Sequence, residues 1–207
     1  MSQARAFFDA IAPRYDRVFA REPAELRAHV DRALAVIGNP PRDVLDLGVG
    51  TGLELPRLLD AGHRVVGVDV SPEMIALCNQ RSRPIRCVEA DFWQRLPFDA
   101  ASFDAVIALF GSLAHAPDDG ALARLAGEVG RVLREGGVFF AEVPSPQWVA
   151  AHPAFADEKT GAHIAIVAQS EAAWREAFAG FDGDIRERDA ELEITLTLRS
   201  RLFPRAR

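Results

Sequence analysis

Asp43-Val-Leu-Asp-Leu-Gly-Val-Gly-Thr-Gly52 reads as a buried strand that runs straight into a glycine loop. Val44, Leu45 and Leu47 form the short apolar run of a central parallel strand. Gly48, Gly50 and Gly52 then permit positive φ and carry no Cβ, so the chain turns sharply and a ligand can lie on the bare backbone. Leu53 to Leu59 has the apolar spacing of a helix whose free N–H groups point back at the loop. Strand, glycine loop and helix together make a cradle for a nucleotide.

The spacing of the glycines bears on which nucleotide. The dinucleotide fingerprint needs its third small residue at position 53, and that residue is Leu53. Here the third glycine comes one residue early, and Asp46 stands two residues before the first. D-x-G-x-G-x-G resembles motif I of the class I S-adenosylmethionine (SAM)-dependent methyltransferases. The resemblance implies that Asp46, Gly48, Val49, Gly50, Thr51 and Gly52 hold the methionine half of SAM, with S-adenosylhomocysteine as the product.

Downstream, Arg64 to Val70 reads as the next buried strand, ending in an acid about 20 residues past the loop. Asp69 is thereby placed to accept from ribose hydroxyls of either SAM or NAD, with Val70 beside it. Ser71-Pro-Glu-Met is a helix start, Ser71 as cap and Met74 facing inward. A third strand, Ile85 to Glu89, leads into Ala90-Asp91-Phe92. In the resembled family an acid at the position of Asp91 accepts from the adenine amine, and Phe92 or Trp93 lies beside the base or joins the core.

The phrases Leu96-Pro-Phe-Asp and Ser102-Phe-Asp-Ala-Val-Ile-Ala are also similar to that family. The fourth strand ends in Leu109-Phe110-Gly111-Ser112-Leu113-Ala114-His115, an end that the resemblance turns toward the sulfonium carbon. It departs from the N/D-P-P-Y/F signature of methyltransferases acting on nucleic-acid or glutamine amino groups. His115 acts there as a base, or else caps or lines the pocket.

Upstream, Phe7, Phe8, Ile11, Tyr15, Val18 and Phe19 recur at helical spacing, and Leu26, Val30, Leu34 and Ile37 repeat the pattern. The segment F-F-D-A-I-A-P-R-Y-D resembles the N-terminal cover of quinone and other small-molecule methyltransferases. Tyr15, the single tyrosine, either packs one helix on another or reaches the ligand.

Beyond the fourth strand, Asp118 to Leu133 reads as a helix and Val138 to Val143 as the fifth strand, ending near Glu142. Residues 144–168 look irregular apart from Ile164 to Val167. Ser170 to Phe181 reads as a helix, and Asp184 to Arg199 as two strands with strict alternation at Leu192, Ile194, Leu196 and Leu198. The predicted fold is α/β: a Rossmann-like, seven-stranded, mainly parallel sheet with helices on both faces and an N-terminal helical lid. Residues 1–207 form one domain, with 1–40 the lid, 43–143 the cofactor core and 144–207 the substrate side and last hairpin.

A net charge of −6 over 207 residues offers no electrostatic footprint for nucleic acid. The longest apolar run, Ala105 to Phe110, is too short to cross a bilayer, and charged residues interrupt the first twenty positions, so no membrane span and no signal peptide are read. Cys78 and Cys87 lack metal-ligand spacing and read as small buried hydrophobes of a reducing compartment. The expectation is a cytoplasmic monomer or homodimer, without metal, that methylates a small-molecule acceptor. Its rivals are a SAM-binding protein without transfer activity and an NAD-dependent oxidoreductase.

Overall fold

A computed structural model describes residues 2–81, 85–188 and 190–199. Seven strands form one sheet: β1 (Asp43–Leu47), β2 (Arg64–Asp69), β3 (Arg86–Glu89), β4 (Phe103–Ala108), β5 (Leu133–Pro144), β8 (Phe181–Arg188) and β9 (Glu191–Leu198). Their order is β3-β2-β1-β4-β5-β9-β8. The first five run parallel, while β9 pairs antiparallel with both β5 and β8. The expected architecture is the observed one.

Side-chain alternation along the strands decides what each face covers. Val44, Ala105, Ile107 and Phe140 pack against α3 (Pro23–Ile37), α4 (Leu55–Asp60) and Cys78 of α5 (Pro72–Asn79). Leu45, Val106 and Phe139, one residue over, join the opposite core under α6 (Ala121–Val132) and α8 (Glu171–Ala177), with Trp174 and Phe178 at its centre. A one-residue slip of register would exchange the two cores, so the apolar pattern pins the pairing.

Two further helices precede the sheet, α1 (Gln3–Ile11) and the single turn α2 (Tyr15–Val18), separated by a 3₁₀ turn at Ala12–Arg14 that contains Pro13. They form a third, smaller apolar cluster. Phe7, Ile11 and Ala12 are buried against Met74 and Ile164. The N-terminal helices therefore cover the sheet's C-terminal edge between α5 and the segment after β5.

That segment is more ordered than its composition announces. Residues 144–168 contain α7 (Pro146–Ala151) and an antiparallel hairpin of β6 (Ala154–Ala156) and β7 (His163–Ala165). Three-residue strands bounded by Pro153 and Gly161 leave no run long enough for a period to show in sequence. Other boundaries shift as well: α4 starts at Leu55, α6 at Ala121 and β8 at Phe181, α8 stops at Ala177, and β5 begins at Leu133 with an irregularity opposite Phe103–Ala105. No helix among the described residues is long and apolar enough to cross a membrane.

Candidate cofactor and acceptor site

A cavity of about 510 Å³ opens where β1, β2 and β4 end. One end is walled by Gly48, Gly50, Asp69, Asp91 and Phe92; the other by Phe8, Tyr15, Phe19, Phe110, Trp148 and Phe155. It is large enough for a nucleotide-sized molecule with a small second ligand, and its position at the carboxyl ends of the strands is where open α/β sheets bind ligands.

The loop is built as its glycines require. Gly48, Gly50 and Gly52 have φ of +77°, +52° and +74°, but they are glycine for different reasons. A Cβ on Gly48 would stand 2.7 Å from Ser112 Cβ, and one on Gly52 would meet Leu55 at 2.8 Å and Cys78 at 3.0 Å. A Cβ on Gly50 would approach nothing closer than 4.0 Å, where Gly48 O and Tyr15 Cε1 stand. Gly48 and Gly52 thus let the loop pack on its supports, and Gly50 leaves the cavity wall bare.

The ends of β2 hold this loop. Gly48 and Val49 donate their N–H groups to Val68 O at 2.8 and 3.0 Å. Asp69, buried, accepts from Gly50 N–H at one oxygen and from Ser71 N–H at the other, both at 2.9 Å. Burial raises its pKa to about 6 against the pull of those amides. A carboxylate has about four lone-pair sites, so Asp69 fixes the loop and still presents acceptors to the cavity it lines.

Asp91 donates geometry of the same kind: its Oδ1 accepts from Trp93 N–H at 2.9 Å while the residue lines the cavity. Phe92 and Trp93 are both buried and tilted against each other at 5.2 Å. Val70, Met74 and Gly111 also line the cavity. Phe110 does so from a left-handed backbone, φ +56°, rarely tolerated by a bulky residue and characteristic of functional sites.

Other residues singled out from the sequence lie behind this wall. Val49 turns onto Gly67, where a Cβ would come within 2.8 Å of it. Leu109 belongs to the core under α3 and α4. Ala90 donates its N–H to Asp69 O at 2.9 Å. Thr51, buried, donates its hydroxyl to Asp16 at 2.5 Å, which ties the loop to the lid.

Asp46 is paired with Glu54 beneath the loop. Burial first, and the adjacent Glu54 second, hold the Asp46 carboxyl well above the usual range, and Asp46 Oδ2 and Glu54 Oε1 are both buried with no other hydrogen-bond partner. Burial raises Glu54 to about 7. Folding therefore takes up protons at pH values where an unfolded chain has released them, and stability falls as pH rises from 4.5 to about 7. Glu54→Gln should flatten that fall by roughly 2–3 kcal/mol in a denaturation series across the interval; an unchanged slope would mean that the pair does not share a proton.

Residues 44–137 match the methyltransferase domain family. That core segment is a SAM-dependent methyltransferase domain. An uncharacterised protein of Methanocaldococcus jannaschii is 33% identical over 152 residues, covering 70% of this chain and 54% of that protein. The demethylmenaquinone methyltransferase of Thermus thermophilus is 37% identical over 152 residues, covering 67% of this chain and 65% of the enzyme. The chain thus spans between half and two thirds of the length of these relatives. Among solved structures, DhpI in complex with S-adenosylhomocysteine superposes with a TM-score of 0.77 at 25% identity over 96% of this chain and 97% of that one.

His115 and Tyr15 stand on the cavity wall together with Phe8, whose ring is 5.6 Å from that of His115. His115 Nδ1 lies 2.9 Å from Ala165 O. A carbonyl only accepts, so Nδ1 carries the proton and Nε2 keeps a lone pair. Burial lowers the imidazole pKa. Burial pushes the Tyr15 phenol up to about 12, with Glu54, Asp69 and Asp16 adding and Arg21 opposing. Tyr15 is therefore a hydrogen-bond donor at neutral pH and no base.

Sequence reading passed over Arg21, Trp148, Phe155 and Glu191, all on the acceptor end of the wall. The Arg21 guanidinium lies 4.4 Å over the Phe110 ring. Glu142, near the end of the fifth strand, is engaged by His29 Nδ1 at 2.7 Å and Arg32 Nε at 2.8 Å on α3. Arg21 sits in a loop, Trp148 in a six-residue helix, Phe155 in a three-residue strand and Glu191 at the first position of β9, where no spacing marks them.

Proposed function

We propose that this chain moves the methyl group of SAM onto a small, partly apolar acceptor. The observation that carries this reading is the single cavity that joins the glycine loop, Asp69 and Asp91 at one end to a ring of aromatic side chains at the other. Gly50 offers bare backbone, and Asp69 and Asp91 have acceptors to spare, so the residues present fit the amino-acid, ribose and adenine parts of SAM. Bound there, SAM supplies an activated methyl for in-line displacement.

The protein's own share is then orientation and exclusion of water, and orientation alone supplies roughly 7–11 kcal/mol. Asp69 and Asp91 would hold the cofactor, Phe110 and Gly111 would line the space beside it, and the N-terminal helices would exclude water from both ligands. Quinone and toxoflavin derivatives are the acceptors named for related proteins. An acceptor of that size suits the space between Phe8, Phe19, Trp148 and Phe155. The protein works in the cytoplasm as a monomer or homodimer on a free metabolite, not on nucleic acid. Labelled SAM offered with a metabolite extract tests this: label in a small molecule is the expected result, and label only in protein or nucleic acid would refute it. Calorimetric heat with NAD and none with S-adenosylhomocysteine would refute the cofactor.

His115 with its free Nε2 serves as the base where the acceptor must lose a proton. His115→Ala should lower kcat by about 100-fold with a hydroxyl acceptor and leave cofactor affinity unchanged. Loss of the acidic limb in the pH profile of kcat is the diagnostic measurement.

A further inference from the structure

We propose that Cys78 and Cys87 are a redox-active thiol pair, a modification site for hydroperoxides that closes to an intramolecular disulfide behind the candidate cofactor loop. Cys78 lies in the last turn of α5 and is fully buried, while Cys87 lies in β3, in register with Gly67 of β2, and is half-buried. Their Sγ atoms stand 2.7 Å apart. That is inside the van der Waals contact of two sulfurs, so a small side-chain rotation brings them to the ~2.05 Å of a disulfide. Cysteines retained only as apolar filler have no reason to point at each other from a helix and a neighbouring strand.

The pair is asymmetric in the way a reactive and a resolving thiol must be. With the proton on Cys78, its S–H donates to Cys87 Sγ and holds the Cys87 thiol below its ordinary pKa, while the same bond and burial push Cys78 up. Burial, and then Asp46, Glu54 and Asp69, oppose ionisation of Cys87 without cancelling that bond. Cys87 is thus the more exposed and the more thiolate-like sulfur, the combination that selects a cysteine for oxidation.

The chemistry balances with a hydroperoxide as the only co-reactant. Cys87 thiolate attacks the distal peroxide oxygen, the O–O bond breaks, and an alcohol (or water, from hydrogen peroxide) leaves with a proton from solvent. Cys78 Sγ then attacks the Cys87 sulfenic sulfur. The S–S bond forms, the S–O bond breaks, and hydroxide departs as water with the Cys78 proton. Two thiols are oxidised by two electrons, and the peroxide is reduced.

The bridge would tie α5, whose start carries Ser71 and Met74, to β3, which leads into Ala90 and Asp91. Cys78 Sγ is also the atom 3.0 Å from where a Gly52 Cβ would stand. The reactive pair therefore sits directly behind the cavity wall, although its chemistry does not depend on methyl transfer.

The full chain, reduced and freed of reductant, is exposed to hydrogen peroxide, unfolded in acid and titrated for thiols, with intact mass and peptide mapping in parallel. The expected result is loss of both thiols, a mass lower by two hydrogens, one peptide linking Cys78 to Cys87, and full recovery with dithiothreitol. In Cys78→Ser the Cys87 sulfenic acid should persist and be trapped by dimedone. In Cys87→Ser oxidation at Cys78 should slow at least about tenfold, because the low-pKa thiolate is gone. Wild-type protein that keeps both thiols, or that gains oxygen at Cys87 without a Cys78–Cys87 peptide, would overturn the proposal; so would faster dimedone labelling of Cys87→Ser than of Cys78→Ser.

Discussion

Replacing Gly50 with valine should leave a folded protein that no longer holds S-adenosylhomocysteine, with affinity reduced by at least about 100-fold, or ~2.7 kcal/mol. The backbone at position 50 has φ +52°, and a side chain there would enter the space that the loop leaves open toward Tyr15. Two costs are mixed in that substitution, and Gly38 separates them. Gly38 ends α3 with φ +83° and nothing within 4 Å of a would-be Cβ, far from the cavity. Gly38→Val therefore also forces a side chain to positive φ, in the φ +83°, ψ −162° region that is essentially glycine's alone, without touching the site. Calorimetry should show normal binding for Gly38→Val and none for Gly50→Val; equal binding by both would mean that the loop is not where the cofactor rests.

Deletion of residues 1–20 should reduce methyl transfer about 1,000-fold or more, a larger effect than His115→Ala. The deleted segment supplies Phe8, Tyr15 and Phe19 to the cavity wall and buries Met74 and Ile164 under Phe7 and Ile11. Without it the acceptor end stands open to water, and nothing holds the acceptor in line. The sheet itself uses none of these residues, so its circular dichroism should persist. Because exposing Met74 and Ile164 invites aggregation, Phe19→Ala offers a milder form of the same test. Phe19 meets Phe155 edge-on at 5.2 Å across the mouth, and its loss should raise KM for the acceptor while cofactor affinity holds. Full activity in the truncated chain would dismiss the lid.

The sheet was legible because long, buried parallel strands carry their signal in composition: Val44 to Leu47, Arg64 to Asp69 and Phe103 to Ala108 are apolar runs ended by turn residues. The glycine loop was legible because a backbone constraint selects one residue type. What stayed hidden depends on long-range pairing. Asp46 gives no sign in sequence that its partner is Glu54, since a carboxyl pair sharing a proton has no spacing rule. The β6–β7 hairpin is stabilised by Phe155 and Ile164 meeting the N-terminal helices, a contact between residues more than a hundred positions apart. Arg21 and Glu191 reach the cavity only after the chain has folded around it.

The cover over the cavity is fastened differently from the rest of the molecule. Its apolar cluster is smaller than the two sheet cores, and its polar ties involve charge: Arg5 to Glu89 at 2.8 Å, Asp9 to the Ser71 hydroxyl at 2.6 Å, Asp16 to Thr51, and Arg14 to Asp157 at the β6–β7 turn. Ionic strength acts unequally on such a design. Screening shortens from about 8 Å at physiological salt to about 3 Å at 1 M, which weakens exposed ion pairs and leaves buried packing intact. Salt therefore acts on the cover first through the exposed Arg5–Glu89 pair and less through the part-buried ties: raising it should increase KM for the acceptor and speed product release.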